Sequence, residues 1–136
     1  MNTKWVGALA FAVVLTGCLS VHAERTVQHS KEPRARVLRH VVLFKFKPAS
    51  TPADVRAVET AFAALPAKID EIHDLEWGTN VSPENLAQGF THCFFVTFKA
   101  EADRDVYLHH LAHDAFVKVA GPHLDQALVV DYWTNP

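Results

Sequence analysis

The stretch Thr91–Lys99, THCFFVTFK, constrains the fold more than any other part of the chain. Alternation puts His92, Phe94, Val96 and Phe98 on one side of a strand and Thr91, Cys93, Phe95 and Thr97 on the other. Bulky apolar groups therefore face both ways. Ala127–Trp133, ALVVDYW, repeats the pattern, with Val130 and Tyr132 opposed to Val129 and Trp133. A sheet built from such strands has to be covered on both faces, because an open apolar face is an interface waiting for a partner.

The rest of the sequence says how much cover the chain itself can supply. Val37–Lys47, VLRHVVLFKFK, alternates as a first strand, with Leu38, His40, Val42, Phe44 and Phe46 on one face. Thr51-Pro52-Ala53-Asp54 then opens a helix: threonine caps, proline fits the first turn and aspartate favours the positive helix end. Val55, Val58, Phe62 and Leu65 follow at helical spacing until Pro66 stops the run. A second strand is expected over Ile72–Val81, a polar loop over Ser82–Gly89, and the third strand over Thr91–Lys99. A helix is expected from about Ala102 to Leu111, a short second one from about His113 to Ala120, and a last strand from Ala127 to Trp133. The order β-α-β-β-α-(α)-β is that of a ferredoxin-like α+β fold, a four-stranded antiparallel sheet with helices on one face. Those helices cover one side only. The other, carrying residues such as Phe95, Val129 and Trp133 or their neighbours, is expected to be buried in a homodimer, sheet against sheet.

The N-terminus is a different kind of sequence. Met1–Lys4 is short and positively charged, and Trp5–Leu15 is apolar and uncharged. That run is too short to span a bilayer, which takes roughly 20 apolar residues, and suits the core of a signal peptide. It ends in Leu15-Thr16-Gly17-Cys18, which resembles a bacterial lipobox. Residues 1–18 are thus expected to be a signal segment cleaved before Cys18, with Cys18 lipidated. Residues 19–36 form a linker, in which Glu24–Arg36 lacks any apolar period, and residues 37–136 form the domain. Leu19 rather than aspartate after the cysteine points to the outer membrane by the Gram-negative sorting rule. The competing site is cleavage after Val21-His22-Ala23, which would give a soluble periplasmic or secreted chain. With Cys18 lipidated or removed, Cys93 is a lone cysteine, read as a small buried hydrophobe.

Function is less constrained. A chain of 136 residues is one domain's worth, and a net charge of −2 is no footprint for nucleic acid. There is no nucleophile elbow, no glycine-rich phosphate loop and no C-x-x-C pair, and no motif asks for a cofactor. What remains is histidine. His40 and His92 sit on apolar strand faces, where desolvation disfavours the charged ring. Tyr107-Leu108-His109-His110-Leu111-Ala112-His113 packs three histidines behind a tyrosine. His109 and His113 are four apart, as zinc ligands can be, but a helix break lies close by and a third ligand such as His123 would have to come from elsewhere. No metal site is expected. Tyr107 and His110 are three apart on one helical face, with His113 opening the next piece and His109 turned to solvent. A phenol and several imidazoles around an apolar cavity could move protons to and from a carbon acid or carbonyl. They could equally be satisfied core histidines.

From Leu38 to Trp133 the chain resembles the stress-responsive α/β-barrel (Dabb) family. The resemblance is carried by His40–Lys47 (HVVLFKFK), Leu65-Pro66 ahead of Trp77–Ser82 (WGTNVS), Gly89–His92 (GFTH), Phe98, Tyr107, His110, His113 and Asp131-Tyr132. It implies a dimeric α/β barrel, in agreement with the open-face argument. A cyclase of the family closes a linear polyketide, and its acid–base tyrosine and histidine fall on Tyr107 and His113 by the pattern Y-x-x-H-x-x-H. His40, His92 and His110 are the expected ligand-binding companions. Leu111 stands where the family often has proline, a departure that bears on the local turn. Two functions follow as expectations: a small-molecule-binding or stress-protective dimer taking a small apolar ligand, and a cofactor-free acid–base lyase or cyclase. A monooxygenase is a weaker third.

Overall fold

The computed structural model describes residues 35–135; the signal segment, Cys18 and nearly all of the linker lie outside them. The elements are β1 (Leu38–Phe46), α1 (Pro52–Ala63), β2 (Asp74–Thr79), β3 (His92–Phe98), α2 (Glu101–His109), α3 (Leu111–Ala120), a single 3-10 turn (Gly121–His123) and β4 (Leu124–Trp133). The strands pair in the order β2-β3-β1-β4, every pairing antiparallel. This is the ferredoxin-like sheet expected from the element order.

Local chemistry sets the boundaries. Thr51 caps α1 through a capping box: its hydroxyl accepts the Asp54 amide, and the Asp54 carboxylate accepts the Thr51 amide at 2.8 Å. β2 is shorter than Ile72–Val81. After Thr79 one further backbone bond joins Asn80 to Thr91, and then the Asn80 side chain accepts the Ser82 amide and turns the chain away, leaving Val81 exposed. The largest shift is at the helix break. It falls at His110, whose ψ of 139° is extended, so α2 ends at His109 and α3 begins at Leu111. The His110 ring caps α3, its Nδ1 accepting the Ala112 amide at 3.0 Å. Tyr107 and His110 therefore do not share a helical face.

The core lies between the sheet and the helices. Leu38, Val42 and Phe44 from β1 and Phe94, Val96 and Phe98 from β3 meet Val58, Phe62 and Leu65 of α1 and the segment after it, and Phe116 of α3. Phe62 stacks on Phe94 with ring centres 4.0 Å apart. Burying aromatic groups of this size contributes about 1.5–3 kcal/mol each.

Strand register decides which apolar residues are left over. Val42 faces Val129, Leu38 faces Trp133 and Val41 faces Val130 across β1 and β4. Partners across a ladder share a face. Val129 and Trp133 are thus on the helical side, and the expectation that they join Phe95 on the open face is corrected. The apolar part of the open face is Val41, Leu43, Phe95, Leu128, Val130 and Tyr132, and the last three are each 44–48% exposed. Arg39 lies over the Phe95 ring, 5.3 Å from its centre, and hydrogen-bonds Thr97.

Candidate functional site

A cavity of about 360 Å³ opens between α2 and α3 on one side and β1 and β4 on the other. Its volume is in the range of small-molecule sites. The walls are mostly apolar, with Val42, Phe44, Phe62, Phe116 and Val129 among them, and four polar side chains converge at one end: His40, Tyr107, His113 and Asp131.

Each is placed by a different element. His40 points inward from β1 and is 4% exposed. Asp131 is its cross-strand partner on β4, and the His40 Nδ1 meets the Asp131 Oδ1 at 2.7 Å. A carboxylate can only accept, so the Nδ1 donates. Tyr107 projects from the last turn of α2 and is 1% exposed; its ring lies edge-on to His40 with centres 5.6 Å apart. His113, in the first turn of α3, also packs on Tyr107, with ring centres 4.6 Å apart. His40 and His113 thus both pack on the Tyr107 ring in the cavity wall.

The groups differ in how they are satisfied. Among the described residues, the buried Nδ1 of His113 makes no full hydrogen bond, with the Leu108 backbone carbonyl lying near the ring. An unpaired polar atom in such a place costs on the order of 1–3 kcal/mol. Burial, and then the neighbouring His40, hold the His113 imidazole below its ordinary 6.5, although Asp114 and the Leu108 backbone carbonyl work the other way. The ring is therefore neutral at neutral pH. Burial, reinforced by the negative charge of Asp131, pushes the Tyr107 phenol far above its ordinary 10.0, so it keeps its proton. A neutral imidazole and a protonated phenol side by side are a base and an acid in their working forms.

The remaining expected residues are elsewhere. His92 pairs with Phe44, four residues along β1 from His40, which separates the two by about 13 Å of strand. Both of its nitrogens are engaged, Nε2 with Glu59 at 2.9 Å and Nδ1 with the Thr91 hydroxyl at 2.8 Å. It borders a second hollow of about 370 Å³, beside β2 and the loop 80–91, together with Trp77, Phe90, Cys93 and Phe95. The expected grouping of His92 with His40 gives way to this separation. His110 is likewise outside the cavity, occupied as the α3 cap. His109 is exposed, with its Nδ1 on the Asp105 carbonyl at 2.8 Å. The break between α2 and α3 removes the single helix on which His109 and His113 could have formed an i, i+4 metal pair. Among the described residues no three histidine, cysteine or carboxylate side chains are placed to share a metal ion.

Two residues were missed. Asp131 entered the sequence reading only as part of a motif, and Arg104 not at all. The Arg104 Nη1 reaches the Asp131 Oδ2 at 3.1 Å. Its spacing three residues ahead of Tyr107 was the available signal, since i and i+3 are neighbours on a helix.

The chain is similar to several known proteins over this whole domain. It is 36% identical over 95 residues to a stress-response A/B barrel domain-containing protein of Arabidopsis thaliana, covering 70% of this chain and 87% of that protein. It is 30% identical over 95 residues to olivetolic acid cyclase of Cannabis sativa, covering 70% of this chain and 94% of the cyclase. Among solved structures, a hydroxynitrile lyase from Passiflora edulis matches with a TM-score of 0.70 at 25% identity, over 75% of this chain and 96% of that one. A dimeric ferredoxin-like protein of unknown function from Thermobifida fusca matches with a TM-score of 0.64 at 25% identity, over 74% and 93%. These likenesses run through the same sheet and helices that frame the cavity. Together with the match of residues 38–134 to the model of the Stress responsive A/B Barrel Domain, they make this chain a member of the Dabb family.

Proposed function

We propose that this protein is an exported, homodimeric A/B barrel module that binds a small apolar molecule bearing a carbonyl or phenolic oxygen in the cavity beside Tyr107 and His113. The observation that carries the reading is the meeting of the Tyr107 phenol and the His113 imidazole, ring centres 4.6 Å apart, at the polar end of an otherwise apolar cavity. A ligand with an apolar body and one oxygen would fill the walls and meet the Tyr107 hydroxyl. Thermal unfolding of the full chain with a panel of small phenols and apolar carbonyls tests this. A compound present at about a hundred times its Kd adds about 2.7 kcal/mol, which raises Tm by on the order of 10 °C in a domain of this size. A panel that shifts nothing overturns the reading.

A second reading, a cofactor-free lyase or cyclase, is favoured by the protonation states of the pair. Neutral His113 can take a proton from a carbon or hydroxyl of the bound molecule, while the Tyr107 hydroxyl donates to the carbonyl oxygen on which negative charge collects. General acid–base work of this kind is worth about 10²–10⁴ in rate. Two of the similar proteins are named as a cyclase and a lyase, which supports the reaction class. The two readings separate in Tyr107→Phe: a binding module loses affinity, and an enzyme loses turnover at saturating substrate.

We also propose that Cys18 is lipidated and that residues 19–36 tether the domain to the outer membrane. The intact mass of the membrane-fraction protein reads this directly, and a soluble mature chain beginning at Glu24 would replace it with ordinary cleavage.

A further inference from the structure

We infer that Arg104 is a positioning residue of the cavity, holding the Asp131 carboxylate so that Asp131 fixes His40 with its proton on Nδ1 and its lone pair on Nε2. The inference rests on the cavity being the functional site and adds a residue that acts there without touching the ligand. Asp131 lies on β4, an edge strand, and its side chain is 29% exposed. An unanchored carboxylate there would be free to rotate toward water. Instead its two oxygens are held from opposite sides, Oδ1 by His40 at 2.7 Å and Oδ2 by Arg104 at 3.1 Å. Two directional, charge-assisted bonds fix the carboxylate plane, which one would not. The other edge of the guanidinium is braced by Asp105, with Nε at 3.2 Å and Nη2 at 2.9 Å from Oδ1.

The arrangement matters for orientation more than for stability. Exposed ion pairs contribute little to folding. A neutral imidazole, however, has one donor and one acceptor nitrogen, and a free ring favours its proton on Nε2. Asp131 reverses that preference only while it is held in place. The polar and charged groups facing His40 are Asp131 from β4, Arg104 behind it and Tyr107 from α2, and His113 from α3 beyond Tyr107; its β3 partner is Val96. Among these, Asp131 is the group in hydrogen-bond contact with Nδ1, at 2.7 Å.

Long-range proton–nitrogen NMR of the full chain, labelled with 15N-histidine, reports the tautomer of each ring. In its neutral form His40 is expected with its proton on Nδ1 alone. Arg104→Gln should lose most of that signal in favour of Nε2–H, and Arg104→Lys should recover it. Asp131→Asn should give Nε2–H whatever residue 104 is, because an amide can donate to Nδ1. A His40 that keeps Nδ1–H in Arg104→Gln, or that carries its proton on Nε2 in the unmodified chain, overturns the inference. Should Arg104→Gln fail to fold, Arg104→Met, which keeps the aliphatic stem, gives the same reading. The tautomer is measured without ligand, so a failed ligand panel would remove the functional reading and leave this result standing.

Discussion

Tyr107 and His113 are where single substitutions should separate function from folding. Tyr107→Phe keeps the ring that packs on His40, Phe98 and His113 and removes only the hydroxyl. Ligand affinity should fall by about 1 kcal/mol, roughly five- to tenfold, with Tm changing little. His113→Ala should lose binding as well, whereas His109→Ala, on an exposed face, should change stability by less than about 0.5 kcal/mol and leave binding alone. Calorimetric titration and thermal unfolding of the three variants check this. The same two groups set a pH profile. His113 has its proton affinity lowered by folding, so the unfolded chain binds more protons below about 6.5 and stability falls as pH drops through that value. Tyr107 is raised by folding, so the unfolded chain ionises first and stability falls as pH rises above about 10. Denaturant titrations across pH should show both slopes, with the alkaline one flattened in Tyr107→Phe and the acid one in His113→Ala.

At the scale of elements, the capping chemistry decides where helices begin, and the α2–α3 junction decides where Tyr107 and His113 end up. Thr51→Ala removes the α1 cap and should cost about 1 kcal/mol, read from the denaturant midpoint with an unchanged m value. His110→Ala should cost a similar amount by freeing the Ala112 amide, and His110→Asp should restore it, since a carboxylate at a helix N-terminus both accepts and suits the dipole. That outcome would assign His110 to the turn rather than to ligand binding. The turn has a consequence for the cavity. Because the chain breaks at His110, α3 restarts at a new angle, and the His113 ring packs beside Tyr107 at 4.6 Å instead of lying about a turn and a half further along one helix.

For the molecule as a whole, the open sheet face is the main unfinished surface. Leu128, Val130, Tyr132 and Phe95 leave an apolar patch that isolated soluble domains rarely show. The dimeric ferredoxin-like proteins similar to this chain support a homodimer. The full chain, extracted in mild detergent, should run at twice its mass in light scattering. Val130→Asp, at the centre of the patch, should give a monomer with the cavity intact. A wild-type monomer at micromolar concentration would remove the barrel assembly. Cys93 lies on the same face, half-buried, and burial followed by the nearby Glu76 pushes its thiol up, away from reactivity.

By itself the sequence determined the elements and their order. Period-two alternation marked β1, β3 and β4, Thr51 and Pro52 marked the start of α1, and the two-faced strands demanded a partner. These are local signals, carried within a few residues of the feature they specify. It also pointed to Tyr107 and His113, through spacing and family resemblance. What it did not contain was register. Whether Val129 or Val130 faces the helices, whether His40 meets Asp131, and whether His92 stands beside His40 or about 13 Å away all depend on how one strand slides against another, and a single residue of slip reverses every face. Only the tertiary structure settles that, because register is fixed by the packing of Phe44, Phe62, Phe94 and Phe116 between sheet and helices, a contact among residues far apart in the chain.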